Sequence, residues 1–258
     1  MALLGVQFRL SVLLGLQYRF DFLLEAAVEA CGAATALVPL FVIFGRRETV
    51  AGWGFAEALL VTGFFLLLQG VLEGAINPSL SQVVEHVRKG TLDFVLLKPA
   101  DAQFLVSTAR FQPWRAANVL TAVAVFAYAF WRLGRPPSPA QAIAAAALFG
   151  AAVALLYSLW IVTVSAAFYV VRVDNLTFLF SSVFDAARWP ASIFRGVLAF
   201  VFTFVVPLAV MTTFPAEALL GRLSPLRGAG ALAAAVAFGL LSRRVWLRSL
   251  ARYTSAGG

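Results

Sequence analysis

The chain has 258 residues, of which 62% are hydrophobic and 12% charged, at a mean hydropathy of +0.90. Soluble domains carry roughly 45–50% apolar and about 25% charged residues, so too little polar surface is present to coat a water-soluble fold. The net charge of +8 therefore bears on which side of a bilayer holds the arginines, with no nucleic acid implied. A single cysteine, Cys31, excludes an intrachain disulfide, and a single histidine, His86, leaves no His/Cys cluster for zinc, haem or iron–sulfur. Only Lys89 and Lys98 among the twenty basic residues are lysine. With abundant Ala, Leu and Gly, that bias points to a GC-rich bacterial genome.

Backbone groups in a bilayer must be satisfied within the chain, so an all-α integral membrane protein is predicted, each crossing needing about 20 apolar residues. Residues 1–20 are apolar but interrupted by Gln7, Arg9, Gln17 and Arg19, which suits a helix lying in the interface. A signal peptide is the rival reading, against which Arg9 splits the apolar run. Glu29 argues against a lipobox ending at Cys31. Six transmembrane helices follow, over about 22–44, 55–76 (ending at Asn77-Pro78), 114–131, 140–171, 194–214 and 228–241. Between the fourth and fifth, the stretch Asn175–Trp189 sets Leu176, Leu179, Phe180, Val183 and Phe184 beside Asp174, Asp185 and Arg188. It reads as a cytoplasmic interfacial helix, with a broken membrane segment as the alternative.

Lys and Arg placement sets the orientation. With the N-terminus inside, fourteen basic side chains, Arg188, Arg195, Arg243, Arg244, Arg248 and Arg252 among them, fall on the cytoplasmic side. Six fall outside: Arg46, Arg47, Arg132, Arg135, Arg222 and Arg227. The excess predicts N-in/C-in.

The long inside loop, residues 79–113, is the most informative stretch. Arg88 and Lys89 suit the C-terminal end of a helix, and Gly90 supplies the left-handed residue that stops it. Thr91 is placed to cap a short second helix, with Asp93 in its first turn and Pro99 closing the unit. A two-turn helix carrying Leu92, Phe94, Val95, Leu96 and Leu97 is expected at the cytoplasmic surface. The same residues also suit a tight turn whose apolar side chains dip into the headgroups.

The run Gly90-Thr91-Leu92-Asp93, with Leu96 and Lys98-Pro99, resembles the loop signature of type-2 ABC exporter permeases, in a bacterial subgroup often encoded as paired permeases beside one ATPase. Tyr18-Arg19, Arg188-Trp189-Pro190, Pro207 and Thr213-Phe214-Pro215-Ala216-Glu217 with Gly221 add weaker matches. The resemblance covers nearly the whole chain as a single permease domain in the bacterial cytoplasmic membrane. It implies that residues 1–20 form an elbow helix, that the loop between spans two and three docks as a coupling helix on ABC ATPase subunits, and that residues 213–226 form an outer re-entrant segment. Gly90, Thr91, Leu92, Asp93, Leu96, Lys98 and Pro99 would then be the coupling residues. ATP and Mg would bind in the partner ATPase, with no cofactor in this chain, and a second permease, related more than identical, would complete the pair.

Charge inside a membrane is costly, so Glu25, Glu29 and Glu73 are candidates for a pathway or a cationic group. Asp21, Glu25 and Glu29 recur every four residues and share one helix face. The competing reading has these acids meeting interfacial arginines such as Arg19. Small residues at four-residue spacing, Gly70/Gly74, Ala142/Ala146/Gly150/Ala154/Ser158 and Ala229/Ala233/Ala237, read as close packing within the bundle, with a subunit interface as the second reading. Trp53, Trp114, Trp131 and Trp246 sit near span ends as interfacial anchors would. No Gly-x-x-x-x-Gly-Lys-Ser/Thr phosphate loop is present, nor Gly-x-Ser-x-Gly or His-Glu-x-x-His. The expected activity is transport without an ATPase site of its own. A membrane-embedded lipid-modifying enzyme or an ion-coupled carrier using the glutamates are the alternatives.

Overall fold

The computed structural model describes residues 5–7, 9, 13, 19–112, 115–169 and 181–253. The expected elbow helix over 1–20 lies for the most part outside these residues. The described helices are α1 (Arg19–Phe44), α2 (Phe55–Lys89), α3 (Asp93–Leu96), α4 (Ala102–Ser107), α5 (Ala116–Leu133), α6 (Pro139–Ser165), α7 (Val197–Phe200), α8 (Phe214–Leu219) and α9 (Pro225–Leu250). A two-residue hairpin, β1 (Thr49–Val50) and β2 (Trp53–Gly54), turns through Ala51 and Gly52 at positive φ. Three helical runs are long and apolar enough to cross a membrane by length and composition: Phe55–Lys89, Pro139–Phe168 and Pro225–Leu250.

Helix α2 is the centre of the bundle, with two thirds of its most apolar window buried (67%) against 17% for the corresponding window of α9. It lies along α5, while α9 and α8 pack on α6. Lipid tails are as apolar as leucine, so close approach has to hold these helices together. Gly63 provides it, since a Cβ there would lie 2.8 Å from the Phe126 ring. Gly70 repeats the device one step along, where a Cβ would meet Asn118 Cβ and Val119 Cγ2, both at 3.4 Å. Of the other two small-residue stripes, Ala142, Ala146, Gly150 and Ala154 are exposed while Ser158 at the end of that row is buried, and Ala229, Ala233 and Ala237 are exposed. Their spacing is helical in either case, and sequence alone does not say which face turns inward.

Span two does not end at Asn77-Pro78. The helix passes through Pro78 and continues to Lys89, with a wider π-type turn over Leu72–Ile76. Proline lacks the N–H that would bond the carbonyl four residues back, and its ring crowds that carbonyl. The widened turn makes room, and the Gly74 carbonyl accepts instead from the Gln112 backbone N–H at 2.8 Å.

The fifth crossing is also displaced. Trp53 Nε1 donates to Ser192 Oγ (3.1 Å) and Thr62 Oγ1 to the Arg188 carbonyl (3.3 Å). These contacts put Ser192 at the end of α2 where Glu57 pairs with Arg222, and the Arg188 carbonyl beside Thr62, two turns into the helix. The opposite end holds Tyr169, whose hydroxyl accepts from Ser249 Oγ at 3.4 Å, and Phe168, whose ring meets Trp246 edge-on at 5.8 Å. Tyr169 and Ser192 thus lie at opposite ends of the bundle, both ahead of the 194–214 stretch assigned from apolarity, with residues 170–180 between them outside the described set. The described part of the Asn175–Trp189 stretch, residues 181–189, is no surface helix: Phe184 and Ala187 are buried and the Phe184 ring meets Phe65, while residues 175–180 lie outside the described set. After Ser192 the chain stays in the Arg222 half: Ala191 N–H donates to Thr213 Oγ1 at 3.0 Å, and Thr212 Oγ1 to the Ala187 carbonyl at 2.8 Å.

Two tryptophans assigned to the interface are instead core, Trp246 being fully buried and Trp53 6% exposed. Trp131, 73% exposed, keeps its place at a span end, and Trp114 lies outside the described residues.

Candidate functional site

Helix α2 ends where Gly90 adopts φ 66°, ψ 20°. Thr91 N–H donates to the His86 carbonyl (2.9 Å) and Gly90 N–H to that of Val87 (3.3 Å), the paired bonds of a Schellman stop. Thr91 does not cap the next helix: its hydroxyl turns back to His86 Nδ1 at 2.8 Å. Without that cap, α3 is one turn long instead of two, starting at Asp93 and held by Leu96 and Leu97 N–H to the carbonyls of Leu92 and Asp93. At the stem, Glu85 bonds Lys89 (3.0 Å) and Arg88 (2.5 Å), and these partners hold its carboxyl below the usual range.

The turn is anchored by one side and open on the other. Leu92 is fully buried and Val95 packs partly into the core, whereas Phe94 and Leu97 are 70% and 81% exposed. Leu96, Lys98 and Pro99 are exposed too, and Asp93 is half-buried. A cavity of about 290 Å³ lies behind the turn, bordered by Ser79, Gln82, His86, Val95, Lys98 and Leu105.

The rest of the loop is sewn to three helices. Ser79 Oγ donates to the Arg110 carbonyl at 2.6 Å and accepts from the Arg110 N–H at 3.1 Å. Asp101 caps α4 by accepting from Phe104 N–H (3.0 Å), and its carboxylate takes both arms of Arg243 from α9 (2.5 and 3.2 Å). The Arg243 bonds hold that carboxyl below the ordinary carboxylate range, against a smaller opposing effect of burial. Arg243 also donates to Gln103 Oε1 at 2.8 Å, which fixes the amide so that Nε2 donates to the Tyr157 hydroxyl of α6 at 3.0 Å. Ser107 Oγ donates to the Gln103 carbonyl (2.6 Å), so the 2.8 Å contact between Tyr157 and Ser107 takes its proton from tyrosine. Donors and acceptors thus close into one circuit joining the loop to α6 and α9.

That circuit was not read from the sequence. Asp101, Gln103, Tyr157 and Arg243 are up to 142 positions apart, and only the capping position of Asp101 before an apolar run carries a local signal.

Of the acids singled out in the membrane, Glu25 and Glu29 lie on α1 with side chains outside the described set. Glu73 sits in the π-type turn of α2, half-buried, accepting from Asn77 Nδ2 at 3.3 Å and within electrostatic reach of Asp185. Asp185 pairs with Arg188 at 3.1 Å, and the guanidinium lies 5.3 Å from the centre of the Phe65 ring. Ten residues separate Phe65 from the start of α2, so this charge lies about 15 Å down the helix. The Asp185/Arg188 spacing of three within an apolar run was the available signal. Among the described residues no group of three or more His, Cys, Asp or Glu side chains is placed to hold a metal.

At the other end, Glu57 accepts from the Gly54 N–H (3.0 Å) and takes both arms of Arg222, while Glu217 pairs with Arg227 at 2.9 Å. Residues 213–226 therefore close over the starts of α2 and α9.

No curated protein and no solved structure matches this chain. The sequence profile of the ABC-2 family transporter protein matches residues 31–257, a stretch that includes α3, the loop sewn around it and all the crossings after the first turns of α1. The chain is a membrane protein of the ABC-2 transporter family.

Proposed function

We propose that this chain is the permease subunit of an ABC exporter, paired with a second, related permease and driven by two separate ATPase subunits that bind ATP and Mg. The observation that carries the reading is α3: two large apolar side chains, Phe94 and Leu97, stand 70% and 81% exposed on a turn whose every flank is tied down. Exposed apolar residues on a rigid polar frame suit insertion into a groove on a partner. Closure of the ATPases on nucleotide would push α3, and the loop would carry the displacement into α6 and α9. Only a difference in ATPase contact between the two transport states can drive that switch.

The arrangement that accompanies this reading has six crossings: α1, α2, α5, α6, the passage from Tyr169 to Ser192, and α9. Both termini face the cytoplasm of a bacterial cell, residues 1–20 form the elbow, and residues 213–226 lie re-entrant on the outer side. Moving Arg195 outward and leaving Arg188 within the bundle gives twelve basic side chains inside against seven outside, from fourteen and six, which still favours this orientation.

Affinity purification in mild detergent should recover a stoichiometric protein bearing a phosphate loop, together with a second permease. Phe94→Ser with Leu97→Ser should abolish ATPase recovery by at least tenfold while membrane insertion is unchanged. Replacing Asp93 should separate ATP hydrolysis from transport. A homo-oligomer without any ATPase, reproduced after crosslinking in membranes, would overturn the reading. ATP-independent activity abolished by Glu73→Gln would then assign the chain to an embedded enzyme or ion-driven carrier.

A further inference from the structure

Helix α9 shows two opposite faces along its last turns. On one, Ser242, Trp246 and Ser249 are buried, and Arg243 turns toward Asp101. On the other, the exposed stripe runs Leu232, Val236, Leu240 and Leu241 and then changes to Arg244, Leu247, Arg248 and, past the helix end, Arg252. The three arginines are spaced four apart, so they stand one above another on a single face. Among the described residues neither Arg244 nor Arg248 makes an ion pair, and the Arg252 guanidinium lies 5.4 Å from the centre of the Tyr169 ring. At the other end of the same helix Arg227 pairs with Glu217, and nearby Arg222 pairs with Glu57.

Depth says what meets the row. At about 1.5 Å per residue, Leu241 lies roughly 24 Å from Pro225, Arg244 about 28 Å and Arg248 about 34 Å. A hydrocarbon core of about 30 Å therefore ends within this row, where lipid phosphates sit. The aliphatic stripe above is continuous with it, as acyl chains are continuous with their headgroups. Guanidinium groups bind phosphate oxygens through paired N–H donors.

We propose that Arg244, Arg248 and Arg252 form a binding site for an anionic phospholipid headgroup, whose acyl chains lie along Leu240, Leu241 and Leu247. The site depends on the membrane setting and not on the transporter reading, and it is the face of α9 directed away from the loop circuit.

The test is native mass spectrometry of the purified protein in mixed micelles holding equal phosphatidylglycerol and phosphatidylcholine. Wild-type protein should retain phosphatidylglycerol preferentially, and each Arg→Gln change in the row should lower retention about fivefold. Arg222→Gln with Arg227→Gln should leave it unchanged. A triple Arg→Lys variant should keep the preference for anionic lipid, which separates lost charge from lost folding. Equal retention of both lipids by wild type, or unchanged retention in the triple Gln variant, would overturn the site. Loss of a co-purifying ATPase in the triple variant with lipid retention intact would also overturn it, giving the row to a protein partner.

Discussion

Asp101 carries two jobs with one carboxylate, capping α4 and receiving Arg243. Because the Arg243 bonds lower its proton affinity in the folded state, the stabilisation is present above the ordinary carboxylate range. It is lost as pH falls through the lowered value. The pair is 40–46% exposed, so it is worth only about 0.5–1 kcal/mol. Asp101→Asn should therefore lower the melting temperature at pH 7, the difference closing only as pH falls below the ordinary carboxylate range and through the lowered value. Asparagine also caps through its Oδ1, so the variant isolates the ion pair, and a melting temperature equal to wild type at pH 7 would overturn its contribution. Gly90 was legible at this scale because a left-handed helix stop needs only local information. Thr91 was not: its hydroxyl had two acceptable local partners, and the half-buried His86 ring decided between them.

Element boundaries follow the same division. The start of α6 is written in Ser138-Pro139 with Gln141, whose side chain bonds the Ser138 N–H (2.8 Å) while Ser138 Oγ accepts from the Gln141 N–H (3.3 Å), a reciprocal capping box. The passage of α2 through Pro78 is not written locally, because it depends on Gln112 arriving to satisfy the Gly74 carbonyl. The seam between α2 and α5 likewise rests on Gly63 meeting Phe126, whose ring also sits edge-on to Phe64 at 5.0 Å. Gly63→Ala should destabilise the bundle by about 1–3 kcal/mol through overpacking, read as a lower melting temperature in detergent. Phe126→Leu should recover part of that loss in the double variant. No loss in the single variant would mean that the ring moves aside freely.

Across the whole molecule, the position of the fifth crossing has the widest consequence. Under the proposed six-crossing arrangement Arg195 and Ala251 lie on opposite faces of the membrane, where the apolarity of 194–214 placed them on the same one. Single Arg195→Cys and Ala251→Cys variants in a Cys31→Ser background, treated in intact cells with a membrane-impermeant thiol reagent, should label at Arg195→Cys alone. Equal labelling of both would restore a crossing between residues 194 and 214.

Composition by itself determined the solvent: a chain with 62% hydrophobic residues has no way to bury its apolar surface except in a membrane, whatever its contacts. Residue types in short runs also determined where helices stop, since caps and left-handed glycines act over a turn. Tertiary structure decided which stretch packs inside the bundle, because 181–189 carries Asp185 and Arg188, and these become tolerable there only once they pair and Phe65 lies beside the guanidinium. It also decided which tryptophans are core and what holds the α3 turn. Those outcomes depend on groups far apart in the chain, and pairing energies between distant groups are invisible to hydropathy and spacing.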